Sequence, residues 1–375
     1  CRIDFFIFLI GVRVLYQALY RKWRPMSFDD VVSQPHITTT LKNQIKSGKT
    51  AHAYLFTGSR GTGKTTCARI FAKAINCLDP HDGEPCLECE ICKDADNGTL
   101  SDIIEIDAAS NSKVDDIREL REGVVYTPER CKYKVYIIDE VHMLSAGAFN
   151  ALLKTMEEPP PHVKFILATT EIHKVPATIV SRCQHFDFHR IRNEDIVSRL
   201  MYIASQEGFT LHEDAAGMIA RLSDGGMRDA LSLLDQCVAY ENDITLDVVS
   251  SASGIAGRDY LFDILEKIAE KDAAGALRVV DKLYDMSKDL KVLAGELLAQ
   301  MRNVMIIKTI DNNKDLITCL PDEYERLKAL AERMKLDEIL GDINTLQECS
   351  ERFAKSTSKR IELEMCIIKL CGAAQ

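Results

Sequence analysis

The sequence predicts an α/β protein of the P-loop type, a parallel sheet with flanking helices, followed by regions that are helical throughout. Three observations carry this. A strand-like run, Ala53–Thr57, leads into Gly58-Ser59-Arg60-Gly61-Thr62-Gly63-Lys64-Thr65, and a helix-like run, Thr66–Ile75, follows. A second apolar run, Lys134–Ile138, ends in Asp139 and Glu140. From Glu194 onward the apolar residues recur at helical spacing, with no strand-like alternation of comparable length.

The first element meets every fixed position of G-x-x-x-x-G-K-[ST] in the strand–loop–helix context that gives the pattern meaning. Its glycines let backbone N–H groups face a phosphate, and the helix start adds a favourable dipole. Lys64 would meet the β- and γ-phosphates of a nucleotide, and the Thr65 hydroxyl would ligate Mg²⁺. A continuous apolar run is the signature of a buried parallel strand, and ligands gather at the carboxyl ends of such strands. Asp139 would therefore complete the Mg²⁺ shell and Glu140 would act as general base on water. Acids also end strands at ordinary surfaces; the P-loop upstream is what favours chemistry here. Phe165–Thr169 reads as another buried strand with Thr170 at the same edge, either a turn former or a contact for the γ-phosphate or the lytic water.

Inserted after the P-loop helix is Cys77-x8-Cys86-x2-Cys89-x2-Cys92. Four thiolates suit tetrahedral Zn²⁺ with no open position, hence a structural site; an iron–sulfur cluster shares the ligand count. Ile179–Cys183 reads as a short turn carrying Arg182, a surface charge or an arginine finger for a neighbouring subunit. Phe186-Asp187-Phe188 alternates like a last strand. Amphipathic helices follow, broken at Gly225-Gly226. Arg228 stands in the first turn of the next helix, where a cation opposes the dipole unless an anion is near. Beyond Ser253–Gly257 only helices are expected, including 261–268, 273–284 and 290–307.

The 375 residues suffice for two or three domains, and 46% apolar with 28% charged residues is ordinary globular composition. The net charge of −10 excludes bulk polyanion binding, so any nucleic-acid contact must be local. Thirteen cysteines beside nucleotide chemistry favour a reducing, cytoplasmic setting. The run Phe5–Val12 is too short to span a membrane. Residues 1–14 are expected to be a non-native N-terminal extension, with the true start near Val14 or Leu15.

Taken in order, these pieces resemble the bacterial DNA polymerase III gamma/tau subunit family. The resemblance rests on Tyr16–Pro25, Phe28–Gln34 (with Ser33 where glycine is usual), the cysteine insert, Ile106–Asn111, Phe149–Pro160 and Ser181-Arg182-Cys183, and it covers roughly residues 15–375. It implies a RecA-like AAA+ ATPase domain over 15–190 with the zinc module at 77–92, a helical lid over 191–254 and a helical collar over 255–375. It implies nucleotide contacts from Arg24, Val31, Val32 and Thr66, with Thr170 as sensor 1, Arg182 as trans-acting finger and Arg228 as sensor 2. The implied partners are delta and delta-prime subunits, further copies of the chain in a five-membered ring, the beta sliding clamp and primer–template DNA. Members that continue past such a collar bind the polymerase core and helicase through a C-terminal region this sequence does not include. ATP binding would open the clamp, and DNA-triggered hydrolysis would release it on primed DNA.

DNA contact is expected where Ser110–Lys113 precede a helix over 114–125 bearing Arg118 and Arg121; an ordinary N-cap with surface arginines is the alternative. Three rival functions remain at this point: an assembly subunit without turnover, another AAA+ motor such as a branch-migration helicase, and a small-molecule kinase.

Overall fold

The computed structural model describes residues 17–110, 120, 122–254, 259–311, 316–317, 319, 321–353 and 356–372. The apolar run 1–14, Tyr16, and the expected DNA-facing residues Asn111, Ser112, Lys113, Arg118 and Arg121 lie outside them. The chain divides into two compact units, residues 1–249 and 250–375.

The first unit is built on five parallel strands: β1 (Ala53–Gly58), β2 (Ile103–Asp107), β3 (Lys134–Asp139), β4 (Val163–Thr169) and β5 (Gln184–Phe188), in spatial order β2-β3-β4-β1-β5. Helices α1 (Leu19–Lys22), α2 (Pro35–Ser47), α3 (Lys64–Asn76), α4 (Glu90–Asn97), α5 (Ala146–Glu157) and α6 (Ala177–Val180) accompany it. Helices cover both faces, which is why the central strands are apolar without interruption. Every residue of β4 is buried. Tyr54 and Phe56 pack with Phe71 and Ile70 of α3 on one face. Leu55, Ile138 and Leu167 pack with Phe149 and Leu152 of α5 on the other. The edge strand β5 buries Phe186 and Phe188 and exposes His185 and Asp187, the alternation read from the sequence.

Register sets the site. Thr57 pairs with Thr169, Asp107 with Asp139, and Gly58 with Phe188, so the carboxyl ends of β1, β3 and β4 share one edge. Arg182 does lie in a turn, with Ser181, but Ile179 and Val180 belong to a single helical turn, α6, that comes first.

Within the same unit, α7 (Asn193–Glu207), α8 (Glu213–Leu222) and α9 (Met227–Tyr240) form a helical subregion, followed by α10 (Leu246–Ala252) at the unit boundary. A two-stranded parallel pair, β6 (Thr210–Leu211) with β7 (Asp243–Ile244), joins this subregion. Two-residue strands are too short to leave a periodic trace, so sequence reading passes over them.

The second unit is helical over its described residues: α11 (Asp259–Ala269), α12 (Ala273–Asp285), α13 (Leu290–Thr309), α14 (Pro321–Arg333), α15 (Leu336–Arg352) and α16 (Lys359–Leu370). Its core includes Leu293, Leu297, Met301 and Val304 of α13 with Leu327, Leu346 and Ile367. Among the described residues no helix is long and apolar enough to cross a membrane.

Gly58 shows how tightly the sheet edge constrains the loop. Its φ is +133°, and an added Cβ would lie 2.2 Å from the Phe188 carbonyl oxygen. Gly58→Ala is therefore expected to cost at least about 1–3 kcal/mol, the range for a strained backbone position. Denaturant unfolding of both proteins checks this; an unchanged midpoint would contradict the close approach of β5.

Candidate functional site

The P-loop turns on three left-handed glycines, Gly58 (φ +133°), Gly61 (φ +76°) and Gly63 (φ +105°), the last capping α3. These conformations favour glycine because it has no Cβ to clash. Lys64 is buried, and its Nζ donates to the carbonyls of Gly58 at 2.7 Å and Ser59 at 2.8 Å. Thr62 closes the turn by donating to the Ser59 carbonyl at 2.8 Å. Arg60, with Ser59 and Gly61, completes the loop. Burial pulls the Lys64 pKa below its ordinary value, opposed by the Glu140 and Asp139 carboxylates.

Asp139 and Thr65 meet directly, Thr65 Oγ1 donating to Asp139 Oδ2 at 2.6 Å. The hydroxyl and carboxylate expected to share Mg²⁺ are thus neighbours across α3 and β3. Glu140 adopts φ +46°, which lifts its carboxylate off the line of the strand toward β4. There its Oε2 accepts from the Thr170 N–H at 3.1 Å and the Thr170 hydroxyl at 3.0 Å. The acid expected to be the base and the hydroxyl expected to be sensor 1 are one hydrogen-bonded pair.

His142 joins them and was not singled out from the sequence. Its Nδ1 lies 2.9 Å from Thr169 Oγ1 and 3.3 Å from Glu140 Oε2. The turn that returns it is closed by the Met143 N–H on the Glu140 carbonyl at 2.8 Å. A histidine just after a strand-ending acid pair was the available signal.

Two further arginines approach the loop. Arg24 Nε donates to Thr66 Oγ1 at 3.2 Å. Burial, with repulsion from Arg69, lowers the Arg24 pKa to about 10. Half-buried Arg24 and buried Lys64 make an electropositive cradle suited to an anion. Arg228, second residue of α9, sits over the Tyr20 ring at 5.1 Å. The Met227 N–H donates to the Gly61 carbonyl at 3.0 Å, tying the start of α9 to the P-loop. Val31 and Val32 are half-buried, Val31 against the α2–α3 core. Ser33 holds φ +59°, a conformation that favours glycine, and its hydroxyl hydrogen-bonds Asp195 of α7. Arg182 is engaged elsewhere: Nη2 pairs with Glu157 at 3.0 Å and Nη1 donates to the Thr178 carbonyl at 2.9 Å. Ser110 hydrogen-bonds Asp107 at 3.2 Å.

Cys77, Cys86, Cys89 and Cys92 converge, their sulfurs all within 4.8 Å of one another. Cys77–Cys89 and Cys86–Cys92 are separated by 4.0 and 3.9 Å. Metal–sulfur bonds of about 2.3 Å in a tetrahedron put sulfurs about 3.8 Å apart, so one four-coordinate ion fits. Burial works to raise the Cys89 pKa, but hydrogen bonds from Leu78, Cys92 and Cys86 outweigh it and bring it to about 7.

Three family models match in sequence: "DNA polymerase III, delta subunit" over residues 33–192, "DNA polymerase III clamp loader subunit, ATPase lid domain" over 195–243, and "DNA polymerase III subunits gamma and tau domain III" over 244–375. The Bacillus subtilis DNA polymerase III subunit tau is 44% identical over 357 residues, covering 95% of this chain and 63% of that protein. The subunit gamma of Buchnera aphidicola subsp. Schizaphis graminum is 40% identical over 318 residues, covering 84% of this chain and 87% of that protein. The Escherichia coli subunit tau is 42% identical over 294 residues, 78% of this chain and 46% of that protein. The chain spans 63% and 51% of the Bacillus subtilis and Haemophilus influenzae relatives, well short of their full length.

The sulfur geometry is expected to hold one divalent ion per chain. Cys89→Ser should release it and lower the Tm by at least about 2 °C, the lower end of the shift that 1–2 kcal/mol gives in a domain of this size. Metal analysis of freshly purified, reduced protein checks the first point; no bound metal would sink it.

Proposed function

This chain belongs to the bacterial DNA polymerase III gamma/tau family, and we propose that it is an ATP-hydrolysing motor subunit of a sliding-clamp loader. ATP binding lets the ring open the beta clamp, and hydrolysis triggered by primed DNA releases the clamp on DNA. Delta and delta-prime subunits and further copies of this chain complete the ring. The single observation that carries the reading is the meeting of Lys64, Thr65–Asp139 and Glu140–Thr170 at one sheet edge.

Each residue's part follows from its surroundings. Lys64 exchanges its two carbonyl partners for the β- and γ-phosphate oxygens, a stronger, charge-assisted interaction for a buried ammonium. Thr65 and Asp139 hold Mg²⁺, which when bound neutralises phosphate charge. Glu140, oriented by the Thr170 N–H and hydroxyl, takes the proton of the attacking water. Arg24, Val31, Val32 and Thr66 surround the nucleotide. Arg228 reports its presence from the first turn of α9. Arg182, bound to Glu157 and to the Thr178 carbonyl, serves a neighbour's nucleotide as arginine finger. The four cysteines hold zinc structurally, since four thiolates fill the shell.

Lys64→Ala and Glu140→Gln separate binding from chemistry. The first removes the cation that meets phosphate and should abolish productive ATP binding. The second keeps the side-chain shape but cannot accept a proton, so ATP affinity should persist while turnover falls about 10²-fold or more. Titrating both variants with ATP checks the assignment; equal loss of affinity would show that Glu140 is misassigned.

Arg182→Ala should leave nucleotide binding by the isolated subunit intact and slow the stimulated hydrolysis of the assembled ring. Fingers are worth about 10³–10⁵ in GTPases, and a ring ATPase is expected to lose less. Rings assembled from the variant that hydrolyse ATP at the wild-type stimulated rate would reduce Arg182 to a surface charge.

A further inference from the structure

We propose that Glu84, in the loop between the first two cysteines, is a positioning residue for the nucleotide pocket, and that it couples metal occupancy of the cysteine cluster to nucleotide affinity. The inference rests on the nucleotide-binding reading above.

The loop is a small hairpin. His81 and Glu84 exchange backbone hydrogen bonds at 3.1 and 2.8 Å, with Asp82 and Gly83 both at positive φ. Such a turn fixes the direction in which Glu84 leaves the chain. Its carboxylate reaches back to residues near the start of the domain. Oε2 accepts the Phe28 N–H at 2.8 Å, and Oε1 ion-pairs with Lys42 of α2 at 2.9 Å. The Glu84 and Lys42 side chains retain only 14% and 17% of their exposure, so this pair is shielded from solvent screening. Lys46 pairs with Asp82 beside it. An added Cβ on Gly83 would lie 2.6 Å from the Lys42 carbonyl oxygen, so the hairpin tip rests directly on the α2 backbone.

Phe28–Gln34 is the stretch that carries Val31 and Val32, and it lies in no helix or strand. What holds it is specific. At one end the Phe28 ring is buried and its N–H is taken by Glu84. Its carbonyl accepts the Val31 N–H at 3.1 Å. At the other end Gln34 Nε2 donates to the His189 carbonyl at 2.6 Å, and the His189 N–H donates to Gln34 Oε1 at 3.2 Å. Glu84 is thus one anchor at the Phe28 end, the one that takes a backbone N–H, beside the Asp29–Lys42 ion pair at 2.8 Å; the hairpin that delivers it is held where the Cys86 N–H donates to Cys77 Sγ at 3.3 Å. Closing those two cysteines on one ion pre-organises the hairpin; opening them leaves Glu84 to be ordered at the expense of nucleotide binding. Coupling of this kind is reciprocal, so nucleotide should also tighten metal retention.

The test is nucleotide titration of the purified chain with a fluorescent ADP, with metal content and Tm measured on the same samples. Glu84→Ala should weaken ADP binding about fivefold or more, the lower range of such couplings, while one metal ion per chain remains. Glu84→Gln keeps a carbonyl oxygen for the Phe28 N–H but loses the charge that pairs with Lys42, and should recover most of the affinity; a Tm of Glu84→Ala close to wild type separates the lost anchor from a general loss of packing. A chelator should weaken ADP binding by the wild type and add little in Glu84→Ala, because both break the same link. ADP affinity of Glu84→Ala equal to wild type, or an undiminished chelator effect in that variant, overturns the proposal alone. A wild-type chain that fails to bind ADP overturns both this proposal and the function on which it rests.

Discussion

Between the end of β1 and the first turn of α3 the chain must leave the sheet, pass beside Phe188 and present backbone N–H groups at a helix start. Gly58, Gly61 and Gly63 make this turn at φ values that other residues adopt only under strain. Without it, Lys64 would not reach back over the loop, and Thr65 would not meet Asp139 at 2.6 Å. The sheet supplies the other half of the constraint. Thr57 beside Thr169 brings the ends of β1 and β4 level, and the described strands on both sides keep that edge rigid. Lys64 and Thr65 of α3, Asp139 of β3, and Glu140 and Thr170 just past β3 and β4 are therefore held by different elements that share one boundary.

Which residues meet at this edge was legible in the sequence because it depends on local patterns. A P-loop is a contiguous motif, and Asp139 and Glu140 close a contiguous apolar run. The four cysteines declared themselves by spacing, and the 3.9 and 4.0 Å sulfur separations agree with a single tetrahedral ion. Long helices such as α13 were legible within a few residues because many turns of periodicity average out single exceptions.

What was not legible depends on contacts between distant parts of the chain. His142 and Thr169 come together only because β3 and β4 are adjacent in the sheet. Tyr20 under Arg228 joins the start of the chain to α9. Glu84 reads in sequence as one polar residue in a turn, yet it holds a backbone N–H 56 residues away. The oddity at Ser33 was visible as a departure from glycine, but its compensation, a hydrogen bond to Asp195, required the fold. The start of α9 is likewise joined to a distant element, the Met227 N–H being bound to the P-loop at Gly61.

The central claim is that this edge hydrolyses ATP as part of a loader and not in isolation. Its most direct test is the steady-state ATPase rate of the wild-type chain assembled with the other loader subunits, measured alone, with clamp, and with clamp plus primed DNA. The account predicts slow hydrolysis by the loader alone and a rise when clamp and primed DNA are both present. A rate indifferent to clamp and DNA, or no hydrolysis under any of the three conditions, would contradict it.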